Sequence, residues 1–196
     1  MTAAASSTLD SNSVGDPGQF VSFPDLERKL RLLAPSPRDR GRVTFVMRRG
    51  EGGRREVADC LQLIPDVGVI GDAWGRRQNR NAEMEIAAMQ ASVARLIANG
   101  QPLALFGDCL HLELDLSAAS LPPGSRVRIG SATLVVTPAP HNGCRKFQAR
   151  FGADALRLVS TRELRHHNLR GIYMRVVERG EARLDDPVEV LSCPQA

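Results

Sequence analysis

Lysine is almost missing from this chain: of 26 basic residues only Lys29 and Lys146 are lysines, and the rest are arginines. Neither lysine sits in a Schiff-base context, so pyridoxal-type chemistry has no support. Aromatic residues are also scarce, 4% of the sequence with one tryptophan and one tyrosine. That is too few to build a platform on which bases stack. The net charge is only +4, and its arginines are spread along the chain, so a nucleic-acid partner is excluded and the basic residues read as a solvated surface. No apolar run approaches the roughly 20 residues that a membrane helix needs. The start, MTAAASSTLDSNSVGDPG, lacks the basic opening and apolar centre of a secretory signal, which places the protein in the cytoplasm. The four cysteines, Cys60, Cys109, Cys144 and Cys193, form no C-x-x-C pair. Structural zinc is therefore not expected, and a cytosolic chain of this size needs no disulfide. Three of the cysteines read as small buried hydrophobes or inert surface thiols.

What is present suits one domain with a real core: 196 residues, 42% of them hydrophobic. Residues 1–21, rich in Ser, Ala, Gly and Asp without periodicity, read as a disordered tail. Pro24 suits a first helical turn, Leu26, Leu30 and Leu33 share a face, and Pro35 and Pro37 stop that helix. Val43 to Met47 and Arg55 to Leu63 read as a hairpin around Glu51-Gly52-Gly53. Together, residues 22–66 form a helix and hairpin packed on the main body, which is residues 67–196. In that body residues 83–89 read as a strand and 91–98 as a helix stopped by Asn99-Gly100. From Cys109 to Leu116 the leucines alternate with Cys109, His111, Glu113 and Asp115, which predicts one buried and one wet face. Val127 to Ile129 and Leu134 to Val136 pair around Gly130-Ser131. Helical pieces from near Cys144 and over 153–165 follow, then a strand over 171–177, a turn at 178–181 and a last strand over 187–191. Many short strands with few helices predict a mostly β fold with helices (α+β), a partly closed β-barrel decorated by short helices.

The sharpest local feature is His141-Asn142-Gly143-Cys144-Arg145-Lys146-Phe147. A strand ends at Pro138, Gly143 lets the backbone turn, and Phe147 and Phe151 pin one helix face to the core. Cys144 then falls in the helix's first turn, where free N–H groups and the neighbouring charges of Arg145 and Lys146 favour thiolate over thiol. His141 is close enough to supply a proton or a hydrogen bond. The same spacing also fits a buried packing cysteine with both basic residues turned to solvent, or an anion held at the helix start without cysteine chemistry.

Several segments are similar to the MOSC family, named for the C-terminal domain of molybdenum-cofactor sulfurase. Gly68-Val69-Ile70-Gly71-Asp72-Ala73-Trp74 resembles its glycine-aspartate loop, and Phe106-Gly107-Asp108-Cys109-Leu110 its F-G-E-N-L segment. Leu121 to Ala132 resembles its hairpin before the cysteine, Cys144-Arg145-Lys146-Phe147 stands at its cysteine, and Arg170 to Val177 resembles its closing strand. The resemblance implies a MOSC-type barrel whose cysteine ligates molybdenum of a molybdenum cofactor or carries sulfur. In the amidoxime-reducing relatives N-hydroxylated compounds are reduced. By that likeness Cys144 is the metal ligand and, with His141, the catalytic pair. Asp72, Arg145, Lys146, Asn168 and Arg170 are the candidate cofactor-binding residues. A small-molecule cofactor or substrate and an electron-donor protein are the implied partners, and enzyme, sulfur carrier and anion-binding module all remain open. The sequence departs from the family at Gly143 before the cysteine, at Asp108 and Cys109 in the F-G-E-N-L segment, and at Asp185-Asp186. It also has only some 65 residues ahead of the match, where the amidoxime reducers carry a large β-domain.

Overall fold

Val127 and Ile129 are buried while Arg126 and Arg128 between them are exposed, the period-2 pattern of a strand with one face on a core. The same logic, repeated around a closed ring, makes this fold. The computed structural model describes residues 8–194. In chain order the elements are β1 (Thr8–Leu9), α1 (Phe23–Arg31), β2 (Arg40–Arg49), β3 (Arg55–Val57), β4 (Cys60–Ile64) and β5 (Gly68–Val69). Then come β6 (Ile86–Gln90), α2 (Ala91–Ala98), β7 (Leu110–Leu112), β8 (Arg126–Ile129) and β9 (Ala132–Val136). The chain ends with α3 (Arg145–Phe151), α4 (Ala153–Ser160), β10 (Ile172–Glu178), β11 (Gly180–Arg183) and β12 (Pro187–Ser192).

Seven strands form the barrel in the order β2-β12-β8-β9-β10-β6-β7, and a β2–β7 pairing closes it. Closure leaves no unpaired edge in the ring. Only β6 and β7 run parallel, and α2 makes the crossover that a parallel pair requires. Its buried Val93, Ala94 and Ile97 seat it, and Asn99, in the left-handed region at φ 46°, ends it as expected. The barrel interior is aliphatic, with Val43, Leu112, Leu134 and Met174 fully buried among others. A second core, holding Leu26, Ile97, Phe106, Phe147, Phe151 and Leu158, joins the four helices to the barrel wall.

The structure differs from the sequence reading at four places. Residues 8–21, expected in a disordered tail, are laid along the body. Thr8 and Leu9 pair with β3, the Gly15 N–H donates to Ala149 O at 3.1 Å, and the Asp16 N–H donates to Gln101 Oε1 at 2.8 Å. Order there comes from distant partners, which composition does not report; residues 1–7 of that tail lie outside the described residues. Residues 22–66 do more than pack on the barrel, because β2 is one of its staves, paired with both β12 and β7. The expected wet face is dry at its first half: Cys109 and His111 are as buried as the leucines, since the ring of His111 packs between Phe45 and Phe106, while Glu113 and Asp115 beyond them are partly exposed. Finally, the expected turn at 178–181 is a change of sheet, where β11 leaves the barrel to pair with β4 in a three-stranded sheet with β5.

Candidate functional site

The loop after β9 carries His141, Asn142 and Gly143 to Cys144, which is the N-cap of α3. Phe147 and Phe151, 2% and 1% exposed, anchor that helix in the second core. Gly143 serves packing rather than a turn: a Cβ there would lie 2.4 Å from Leu156 Cδ1. Beside it Gly171, at φ +101°, lets β10 start where a Cβ would meet Ala88 O at 2.3 Å and His141 Nδ1 at 3.2 Å.

These elements surround a cleft of about 380 Å³ that Cys144 lines together with His141, Lys146, Arg170, Asp108 and Tyr173. Cys144 is exposed. Cys109 is not a rival nucleophile, because burial pushes its thiol up to about 12. The helix behind Cys144 has seven residues, and Cys144 makes no side-chain capping hydrogen bond to it.

Arg170 and Asp108 form a buried ion pair at the cleft wall, Nη1 to Oδ2 at 2.6 Å, and Arg170 Nη2 lies 3.4 Å from Phe106 O. Burial raises the Asp108 carboxyl, and Arg170 pulls against it. His141 Nε2 sits 3.4 Å from Asp108 Oδ1, and its ring lies 4.2 Å from that of Tyr173. Burial first, then the charges of Arg170 and Arg49, hold the imidazole well below its usual range. His141 is therefore neutral at pH 7, suited to hydrogen bonding rather than to carrying a charge. Burial likewise raises the Tyr173 phenol, helped by Asp108.

Asp72 stands behind the cleft. Its carboxylate accepts from the Arg49 backbone N–H (2.6 Å), from Arg49 Nε (3.0 Å) and Nη2 (2.8 Å), and from the Trp74 N–H (2.8 Å). Burial would raise this carboxyl, but the Arg49 guanidinium outweighs it and holds it low. Asp72 thus positions Arg49, and Arg49 reaches the cleft. Of the other expected residues, Lys146 lines the cleft and Arg145 does not. Asn168, left-handed at φ 50°, spends its side-chain N–H on Leu116 O at 2.8 Å. It lines a neighbouring cavity that shares His141, Asn142 and Arg170 with the cleft.

Sequence reasoning missed Arg49, Arg55, Arg77 and Arg150, all of which line the cleft. Nothing local distinguishes these among so many arginines. Asp108 and Tyr173 stood inside the segments that carry the resemblance, and that was the available signal. Among the described residues no three His, Cys, Asp or Glu side chains cluster as a metal cage.

The MOSC domain model matches residues 80–189, more than half of the chain. The chain belongs to the MOSC domain family. No curated protein matches it. Similar solved folds include YuaD from Bacillus subtilis, at TM-score 0.58 and 16% identity, with 79% of this chain and 97% of that one covered. YiiM from Escherichia coli aligns at TM-score 0.55 and 20% identity, covering 80% of this chain and 72% of the other. A hypothetical protein aligns at 0.58 and 20%, covering 79% and 69%. The likeness shows that the barrel is of the MOSC type. Within this MOSC domain Cys144, His141, Asp108 and Arg170 fall inside the matched region, whereas Arg49, Arg55 and Asp72 precede it.

Proposed function

We propose that this MOSC domain binds the molybdenum cofactor in the Cys144 cleft, with the Cys144 sulfur as its protein ligand to the metal. The observation that carries the reading is an accessible thiol in a recessed, strongly cationic cleft of about 380 Å³, within the range of small-molecule and cofactor sites. The donor set suits the group. A soft sulfur favours such a metal, and a single cysteine leaves the remaining positions to the cofactor's own atoms. His141 Nδ1 and Arg170 Nε are buried polar atoms without partners among the described residues, and an unpaired buried polar group invites a partner. Lys146 and Arg170 would hold and orient the ligand by charge-assisted hydrogen bonds, and Asp108 keeps Arg170 aimed. Neutral His141 can offer a hydrogen bond at the cleft wall. When bound, the cofactor supplies oxidation–reduction chemistry. The reaction class that follows from the family likeness is reduction of N-hydroxylated compounds, with electrons from a donor protein.

A sulfur carrier is the second reading, favoured by the exposure of Cys144, which leaves its sulfur open to a partner. Molybdenum measured by elemental mass spectrometry, in protein made in a cofactor-competent host, decides between them. Stoichiometric metal in the wild type that is lost in Cys144→Ser supports ligation. A wild type without metal, beside a control molybdoprotein loaded in the same cells, sinks it. Intact mass then asks whether Cys144 carries an extra sulfur.

A further inference from the structure

A second recess of similar size lies elsewhere on the molecule. It is a groove of about 410 Å³ between the end of α1, the linker that follows it, α2 and the 3-10 turn Arg162–His167. It shares no lining residue with the Cys144 cleft. Val93 and Leu169 in its wall are buried. Leu30, Leu33 and Leu164, which also line it, are only partly buried although they pack on the second core. Aliphatic side chains from separate stretches of chain thus converge on one recess. Hydrogen bonds fix its walls. Gln90 Nε2 donates to Ser36 Oγ at 3.1 Å and to Ser92 Oγ at 3.0 Å, and Gln90 Oε1 accepts from the Leu116 N–H at 3.2 Å. The Asp115 N–H donates to Pro37 O at 2.7 Å. The linker is therefore pinned at Ser36 and Pro37, and the groove is formed in advance of any occupant.

Apolar surface gathered in a recess gains from being covered. The charge at the edge selects what covers it. Arg31 and Arg38 line the groove and are exposed. Among the described residues Arg31 makes no salt bridge, and Arg38 Nε stands 3.8 Å from Asp115 Oδ2, a loose pair. Asp115 is the only carboxylate in the lining, and it is already engaged. Its oxygens accept from the Ser117 N–H at 2.9 Å and from the Ser120 hydroxyl at 2.5 Å. Burial first, then the charge of His166, lower the His167 imidazole, so His167 adds no positive charge at pH 7. The groove thus sets an aliphatic wall beside two guanidinium groups with donors to spare. We propose that it binds a small carboxylic acid with an apolar body, the body on Leu30, Leu33, Val93, Leu164 and Leu169 and the carboxylate on Arg31 and Arg38. A carboxylate matches the guanidinium fork, and the volume is that of a small-molecule site. An apolar cation would meet two like charges. The site rests on nothing said of the Cys144 cleft, and its Leu30–Arg38 side precedes the region that the family model matches.

The test titrates the full chain by isothermal calorimetry with octanoate and naphthoate, a chain and a ring on the same carboxylate. Octanol and octyltrimethylammonium are the comparison arms. Saturable binding of at least one of the two acids is expected, and which one binds tells chain from ring. Octanol should bind about fivefold more weakly or worse, and the cation should not bind. The double variant Arg31→Gln/Arg38→Gln should weaken the acid by about the same factor, the size that two exposed charge pairs carry. Ala34→Trp, an exposed lining position, should fill the groove and abolish binding, whereas Cys144→Ser should leave it unchanged. A second measurement needs only the wild type: the methyl NMR signals of Leu30, Leu33, Val93, Leu164 and Leu169 should shift as the acid is added. No saturable binding of either acid overturns the proposal, as does octanol or the cation binding as tightly as the acid. Full affinity in the folded arginine variant, or methyl shifts confined to other residues, overturns it too. Loss of molybdenum uptake would touch none of these outcomes, so the two readings fail separately.

Discussion

At the cleft, buried carboxylates come with cations. Asp72 takes three hydrogen bonds from Arg49, and Asp108 pairs with Arg170 at 2.6 Å. Elsewhere on the barrel the same burial goes uncompensated. Glu85 is 1% exposed, with one carboxylate oxygen accepting from the Val176 N–H at 3.3 Å and the other unpartnered among the described residues. His111 is fully buried, and among the described residues neither of its ring nitrogens has a hydrogen-bond partner. The difference teaches where charge is wanted. Paired ions hold side chains at fixed angles, and at Asp72 the guanidinium keeps the carboxylate ionised. Unpaired ionisable groups give up their charge instead.

The largest effect expected from breaking this contrast is at the paired site. Asp108→Ala strips Arg170 of its counter-charge while leaving it buried, which costs about 3–5 kcal/mol. Urea unfolding measures the loss. The double variant Asp108→Leu/Arg170→Met should recover most of it, since a buried pair replaced by apolar groups is often near neutral. If the double variant is as unstable as the single, the pair holds the structure by packing and not by charge. Molybdenum uptake should fail in both.

How much of this contrast was legible beforehand depended on distance along the chain. Helices over 23–31 and 91–98, and the hairpin around Gly130-Ser131, follow from local spacing and caps, and they formed where expected. The Cys144 loop was legible for the same reason, being one contiguous stretch. The partners that set the site's electrostatics were not. Arg49 meets Asp72 across 23 residues, Arg170 meets Asp108 across 62, and Arg150 meets Ser11 across 139. In a chain whose basic residues are nearly all arginine, no local pattern marks which ones turn inward. Alternation from Cys109 to Leu116 predicts one wet face and puts His111 on it. A covering layer that includes Phe106 makes that face dry at His111, and strand period alone does not reveal that layer.

Glu85 sharpens the contrast through pH. Burial raises its carboxyl to about 7 from an ordinary 4.5. The native state therefore holds this proton more tightly than the unfolded chain does. The stabilisation is complete below the unfolded value near 4.5 and is lost as pH rises through about 7. Its size is on the order of 2–3 kcal/mol. Stability measured in urea between pH 4.5 and pH 8 should fall by that amount relative to Glu85→Gln, which keeps an acceptor and cannot ionise. Equal slopes in wild type and variant would mean that Glu85 is hydrated or paired in solution.

The smallest effect belongs to His111, where the contrast predicts a gain. Burial, aided by the charges of Arg170 and Arg95, lowers its imidazole to about 3. The unfolded chain thus binds a proton that the native state refuses, and stability falls as pH drops from the unfolded value near 6.5 toward 3. His111→Leu removes two ring nitrogens that have no partner and keeps an apolar body against Phe45 and Phe106. At pH 7 it should stabilise the fold by about 1 kcal/mol, and on acidification the advantage should widen. Residual acid lability would remain, because His141 is also held neutral by burial. A loss of stability at pH 7 would show instead that both His111 nitrogens are satisfied, by water in the core, and that this position belongs with the paired group after all.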